Sequence, residues 1–235
     1  MNTQKPSKLN HSTDNISVHS IFKTIQGEGP FTGYPALFVR LFGCNLMCPA
    51  CDTDYTSVSI KMKPYDLADE IIKQADNVRL IVVTGGEPLR QGNALAIVCK
   101  VLLARGYTVQ IETNGTMPIP QEFPSSVNIV VSPKATKLHP SFEQRIKQGC
   151  NNIKFKYVLN HKEVEPDGLP TRALEHRATP HIARPPKCYK DIIYLQPMDS
   201  YDNEENLLNT KAVVDSCLAN GYVVQLQLHK IIEVE

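Results

Sequence analysis

The chain has no tryptophan, few other aromatics and almost no net charge: Trp 0, Tyr 9 and Phe 7 in 235 residues, with 25 Lys and Arg against 24 Asp and Glu. The missing tryptophan excludes nothing. A formal charge of +1 leaves no basic surplus for phosphate contacts, so a nucleic-acid binder, which would carry a basic stripe, is not expected. No apolar run approaches the roughly 18 residues of a membrane-spanning helix. The N-terminus lacks the apolar core of a secretory signal. Paired cysteines are lacking too. The count is seven, an odd number, and Cys99, Cys150, Cys188 and Cys217 are scattered singly, which argues against a disulfide framework and for a reducing, cytoplasmic location. Cys99 and Cys217 fall in apolar helical patterns, where a thiol packs as a small hydrophobe.

The other three cysteines stand together. Cys44, Cys48 and Cys51 in GCNLMCPACDT space their thiols as C-x3-C-x2-C, with no fourth Cys or His beside them. Thiolates are the usual ligands of iron-sulfur clusters, and a four-iron cube held by three of them keeps one iron open. A structural metal site closes its shell whereas a catalytic one leaves a position free, so the spacing points to chemistry at a metal. Two plainer readings stand beside this one: a zinc knuckle completed by a distant Cys or His, and three buried small hydrophobes.

With 42% hydrophobic residues, the chain suits a single α/β domain. Residues 1–15 are polar and aperiodic and read as a mobile N-terminal tail, leaving 16–235 as the domain. Short runs rich in Val and Ile predict buried strands over 36–42, 79–84, 108–112, 128–132, 153–158 and 192–196, with a last strand over 222–228. Helical spacing covers 64–75, 91–104 and 204–219. Such alternation predicts a mostly parallel sheet with right-handed crossovers. Thr84-Gly85-Gly86-Glu87-Pro88, Glu112-Thr113-Asn114-Gly115, Ser132-Pro133-Lys134 and Gln196-Pro197-Met198-Asp199 each follow directly on a strand, at the carboxyl ends where parallel α/β folds gather their ligand sites. Any one of them alone would read as a turn. The Pro-rich stretch 161–190 has no periodicity and reads as a loop cap or an interface.

The three-cysteine loop, followed by Gly-Gly-Glu-Pro after the next strand, resembles the radical S-adenosylmethionine (SAM) superfamily. Thr24-Ile25-Gln26-Gly27-Glu28-Gly29, Phe38-Val39-Arg40 leading into Gly43-Cys44-Asn45, Cys51-Asp52-Thr53 and Gln227-Leu228-His229-Lys230 narrow the resemblance to the 7-carboxy-7-deazaguanine synthase family. The resemblance implies a partial (β/α) barrel of about six parallel strands and a [4Fe-4S] cluster on Cys44, Cys48 and Cys51. The open iron would chelate SAM, and one electron would release a 5′-deoxyadenosyl radical. Cofactor contacts are implied at Ala50, Cys51, Asp52, Gly85, Gly86, Glu87, Ser132, Pro133, Lys134, Gln196, Pro197, Met198 and Asp199, with Glu112 and Asn114 as neighbours. The two glycines would let backbone approach the cofactor, and Glu87 could offset its positive amino or sulfonium group.

The family's substrate is 6-carboxy-5,6,7,8-tetrahydropterin, which loses its C6 hydrogen to the radical before the ring contracts and ammonia leaves. Implied substrate contacts are Ile25, Gln26, Gly27, Glu28, Arg40, Thr84 and His229, with a terminal carboxylate at Glu235. Gln26 and Glu28 offer complementary donors and acceptors to a pterin edge. Arg40, a lone charge between Val39 and Leu41, has the planar fork that grips a carboxylate. Thr53 is implied to help hold Mg2+, an ion that prefers oxygen ligands and keeps waters; by itself it would read as a cap or turn hydroxyl. The resemblance also implies a homodimer, an electron donor such as a flavodoxin or ferredoxin, and a product bound for queuosine-type nucleosides. Two alternatives remain. A glycyl-radical-enzyme activating enzyme would share the cluster loop but act on a protein backbone, with no need of the cradle from Gln26, Glu28 and Arg40. A zinc-binding interaction module would need a fourth ligand.

Overall fold

Strands β1 (Ile16–Ile25), β2 (Pro35–Leu41), β3 (Ile60–Met62), β4 (Leu80–Gly85), β5 (Thr108–Thr113), β6 (Asn128–Val131), β7 (Ile153–Leu159), β8 (Ile193–Pro197) and β9 (Val223–Val224) make one sheet, ordered β3-β1-β2-β4-β5-β6-β7-β8-β9. The structure, a computed structural model, describes residues 2–174 and 180–234. β1 runs antiparallel to β2 and β3, and every pairing from β2 to β9 is parallel. With β3 and β9 as unjoined edges, the sheet is a partial barrel, as the resemblance implied.

Helices α1 (Pro64–Ala75), α2 (Gly92–Ala104), α3 (Pro140–Lys147) and α4 (Asn203–Asn220) provide crossovers, and a single turn, α5 (Leu228–Ile231), follows β9. α1 starts with Pro64 at its first position and buries Leu67, Ala68, Ile71 and Ala75 as one stripe. α4 is capped by Asp202, whose carboxylate accepts from the Glu205 N–H at 2.9 Å, and it ends at Gly221 in the left-handed region. The crossovers from β5 to β6 and from β7 to β8 contain no helix among the described residues.

Strand alternation divides core from cavity. Leu37, Val39, Ile81, Val83, Val109, Ile111, Ile129, Val131, Phe155, Tyr157 and Leu195 belong to one buried cluster under the helices. The intervening positions face inward and change character along the strands: Ala36, Leu80 and Val82 form a small apolar floor, while Arg40, Thr84, Gln110, Glu112, Lys156 and Gln196 lie nearer the carboxyl ends. Cys99 and Cys217 are buried in the helical layer, as their spacing predicts.

Three features depart from the sequence expectations, and a fourth gives the expected loop cap its contacts. β1 is a full ten-residue strand where no strand was expected. The final strand is two residues long and the chain then turns helical, so His229 arrives on α5 rather than at a strand end. Residues 2–11, expected to be a mobile tail, run as a strap over the cysteine loop: Asn2 N–H donates to Pro49 O at 3.1 Å, Ser7 N–H to Cys44 O at 2.6 Å and Asn10 N–H to Arg90 O at 2.8 Å. Polar composition concealed this because the strap is held by amides, not by apolar burial. In the 161–190 stretch, Leu169, Ala173 and Ile182 are buried, and Leu174 O accepts from the Ala50 N–H at 3.3 Å, so the loop reaches the cysteine loop.

Where the barrel stays open, side chains bridge the gap. Gln225, after β9, accepts from the Gly29 N–H at 2.7 Å and donates to Thr32 Oγ1 at 2.8 Å, and the Leu228 N–H donates to Gly27 O at 3.1 Å. The loop after β1 is thereby fastened to the C-terminal segment.

Candidate active site

The carboxyl ends of the parallel strands enclose two adjoining cavities. The first, about 780 Å3, is lined by Cys44, Cys48, Ala50, Cys51, Gly85, Gly86, Ser132, Lys134, Gln196, Met198 and Asp199. The second, about 620 Å3, is lined by Ile25, Gln26, Gly27, Arg40 and His229. Glu28, Asp52, Thr53, Thr84 and Glu112 border both and form a shared wall. Most residues expected to touch cofactor therefore lie in the first lobe, with Asp52 in the wall, and the described residues expected to touch substrate lie in the second lobe or in the wall. Pro133 and Pro197 shape their turns without lining either lobe, and Glu235 lies outside the described residues.

Glu87 is not at the cavity. It is fully buried, with Oε1 accepting from the Leu89 N–H at 2.9 Å and Thr113 Oγ1 at 2.8 Å, and Oε2 accepting from the Asn114 N–H at 2.7 Å. It clamps the turn after β4 to the turn after β5. Burial pushes its carboxyl above the usual range, and the three donors work against that. The expectation that Glu87 contacts the cofactor is corrected accordingly: the side chain lines neither lobe, and both of its oxygens are turned toward donors of the protein itself. The adjacent glycines also serve packing, since a Cβ on Gly86 would lie 2.3 Å from Gly43 O and one on Gly85 2.3 Å from Leu41 O.

The cysteine loop is held from several sides. Asn114 donates to Asn45 Oδ1 at 3.0 Å, and Asn45 donates to Thr116 Oγ1 at 2.8 Å. Gln4 of the strap donates to Thr53 O at 2.8 Å while accepting from the Tyr55 N–H at 2.8 Å and Thr56 Oγ1 at 3.0 Å. Burial pushes the Cys44 thiol up to about 12 and raises Cys48 and Cys51, with Lys134 opposing the rise at the latter two. The donor set fits a cluster. The three thiols share one cavity wall, with no fourth Cys or His lining it among the described residues, which is the three-thiolate donor set of a cluster with one open iron. Gln196 Oε1 lines that cavity and has no hydrogen-bond partner, so the site offers a buried acceptor to a ligand's N–H.

Opposite the cysteines, Lys134 Nζ donates to Ser132 Oγ at 2.8 Å, and burial lowers its proton affinity. Asp199 is tied to Lys230 of α5 at 2.6 Å and to Asn206 at 3.0 Å, contacts that hold its carboxyl at about 2 against burial. In the wall, Glu112 accepts from Gln26 Nε2 at 3.0 Å, Thr84 Oγ1 at 3.0 Å and Gln110 Nε2 at 3.3 Å. Arg40 stacks its guanidinium 5.6 Å above the Phe22 ring and keeps its fork toward the second lobe. Sequence reasoning missed Lys156, which pairs with Glu28, and the strap residues Asn2 and Gln4. A lysine at alternate positions of the buried run IKFKYV was the available signal for the first; nothing in the polar tail marked the second.

Two curated relatives cover nearly the whole chain. The 7-carboxy-7-deazaguanine synthase of Rhodospirillum rubrum is 38% identical over 94% of this chain and 93% of its own, and that of Rickettsia prowazekii 34% identical over 98% and 94%. The chain belongs to the 7-carboxy-7-deazaguanine synthase family. The Radical SAM superfamily profile matches residues 39–137, which contain all three clustered cysteines and the Gly-Gly-Glu-Pro turn. The crystal structure of QueE from Escherichia coli superposes with a TM-score of 0.66 at 24% identity, covering 91% of this chain and 94% of that one, a likeness of fold. Membership of the synthase family makes this chain a radical SAM enzyme of the lyase type, using a [4Fe-4S] cluster and SAM. The glycyl-radical activating alternative is not favoured. No helix among the described residues is long and apolar enough to cross a membrane.

Proposed function

We propose that the enzyme converts 6-carboxy-5,6,7,8-tetrahydropterin to 7-carboxy-7-deazaguanine with release of ammonia, binding SAM in the first lobe and the pterin in the second. The carrying observation is the shared wall: two cavities of ligand size meet at Glu28, Thr53, Thr84 and Glu112, so the reacting atoms of two ligands can approach across it. When bound, the cluster and SAM supply a carbon radical able to remove a hydrogen atom. The protein positions the partners. Gln196 and Asp199 offer acceptors and Lys134 a cation to the cofactor's polar groups. Gln26 and Glu28 match the guanidine-like edge of the pterin, Arg40 its carboxylate, and Thr84 with Glu112 the ring between them. His229, held against Gly27, closes the far side of the second lobe.

Thr53 borders both lobes and its hydroxyl donates to Asp52 Oδ1 at 3.3 Å. It is the natural place for Mg2+, which takes one or two protein oxygens and fills its shell from water and substrate. A small one-electron carrier of the flavodoxin or ferredoxin kind supplies the electron. A homodimer is supported by apolar side chains left outside on α4, β9 and α5, where Leu207 is 71% exposed, Leu218 82% and Ile231 62%. The enzyme works in the cytoplasm. Anaerobic reconstitution followed by incubation with the pterin, SAM, reductant and Mg2+ should yield 7-carboxy-7-deazaguanine and ammonia in equal amounts; cleavage of SAM with no pterin-dependent product would refute the substrate assignment.

A further inference from the structure

Lys156 is a buried lysine that the proposed chemistry leaves without a task. It rises from β7 to line the first lobe, is 8% exposed, and forms an ion pair with Glu28 of the shared wall, which lies 128 positions away in the loop after β1. Gln227 donates to the other Glu28 oxygen at 3.0 Å. A carboxylate has about four lone-pair directions, so these two contacts fix its plane and still leave acceptor capacity on the lobe side. We propose that Lys156 is a positioning residue for the substrate: it holds the Glu28 carboxylate ionised and oriented so that it can accept the N–H edge of the pterin. The inference rests on the reading of the second lobe as the pterin site.

The surrounding charges make the lysine necessary. Glu28 is faced by Lys156 from β7, by His229 from α5 and by Lys134 from the turn after β6. Lys156 in turn faces Glu112 on β5 and Asp52 in the cysteine loop as well as Glu28. Burial alone would raise the Glu28 carboxyl; the adjacent Lys156 charge, with hydrogen bonds from Lys156 and Gln227, overrides it and holds the group below the usual carboxylate range. Remove the ammonium, and Glu28 and Glu112 border the same wall with less cation to separate them. Like charges in a poorly solvated site are relieved when one takes up a proton. A protonated Glu28 would present a donor where the pterin edge also presents donors, and binding would suffer. A lysine kept only for fold stability would behave otherwise, since removing one partner of a buried pair loosens the fold as a whole, and iron and SAM binding would then fall together with pterin binding at every pH.

The experiment measures equilibrium binding of the pterin to reconstituted enzyme, without reductant, across roughly pH 6 to 9, in the wild type and in Lys156→Met, Lys156→Arg and Glu28→Gln, with iron content and SAM affinity recorded for each. Lys156→Met should bind pterin about tenfold or more weakly at the acid end, corresponding to one charge-assisted contact, and recover as pH rises. Lys156→Arg should restore the wild-type profile, while Glu28→Gln should bind weakly throughout, with no recovery. Iron content and SAM affinity should be unchanged in all four. A wild-type pH profile in Lys156→Met, or a parallel loss of iron and SAM binding, would overturn the positioning role. Full pterin affinity in Glu28→Gln would instead overturn the reading of the second lobe.

Discussion

At Gly27 a single methyl group would not fit: its carbon would lie 1.9 Å from His229 Nδ1. The sequence already held both residues in its family motifs, but not the reason for the pairing, which is contact between chain segments about 200 residues apart. Gly27→Ala should displace the imidazole and weaken pterin binding by about tenfold while iron content stays normal, because no cysteine is touched; unchanged affinity in a titration would separate His229 from the substrate. At the cluster, Cys44→Ala, Cys48→Ala or Cys51→Ala should each lose the visible absorption and the iron of a four-iron cluster. Cys99→Ala, in the helical layer, should keep both and lower stability by about 1 kcal/mol. The cysteines, Arg40 and the post-strand turns were legible because their side chains differ so sharply from their apolar surroundings. Glu87 was misjudged for the same reason: a carboxylate beside two glycines at a strand end looks like a ligand contact, and only the structure shows its oxygens spent on the Leu89 and Asn114 N–H groups. Glu87→Gln puts an amide donor against one of those donors and should cost roughly 1 to 3 kcal/mol in denaturant unfolding of the apo protein.

At the scale of elements, helices and central strands were read well because burial imposes a period, and short or polar elements were not. α3, with Phe142 as its one buried side chain, carries too thin a stripe to announce itself. The strap has no stripe at all; its contacts are amide to carbonyl, and any polar segment has those to offer. Since Gln4 alone makes three hydrogen bonds to residues 53–56, Gln4→Ala should loosen the loop by about 2 kcal/mol, seen as faster bleaching of the cluster by a chelator under argon. α5 depends on the ion pair between Lys230 and Asp199. Asp199 is held at about 2 against an ordinary value of 3.8, so its contribution to stability is present above pH 3.8 and is lost as pH falls through about 2. Lys230→Met should flatten that part of the acid-unfolding profile; an unchanged acid limb would show that the pair does not hold α5 in solution.

For the whole molecule, alternation of strands and helices foretold a parallel sheet, and the sheet's open edges explain what it could not foretell. In a closed barrel the last strand pairs with the first, and register alone would locate the C-terminal residues; here Gln225 does that work with two side-chain hydrogen bonds, invisible to any periodicity. The bridge also orders events in time. Gly29 and Gln225 are separated by 196 positions, among the most distant partners in the chain, so their meeting waits until nearly all the intervening sheet exists. An emerging or partly refolded chain can own its apolar layer and even its cysteine loop while the pocket wall at Glu28 is still unmade. Pterin binding should therefore be the last property regained on refolding and the first lost on gentle denaturation, read by titration alongside far-ultraviolet circular dichroism.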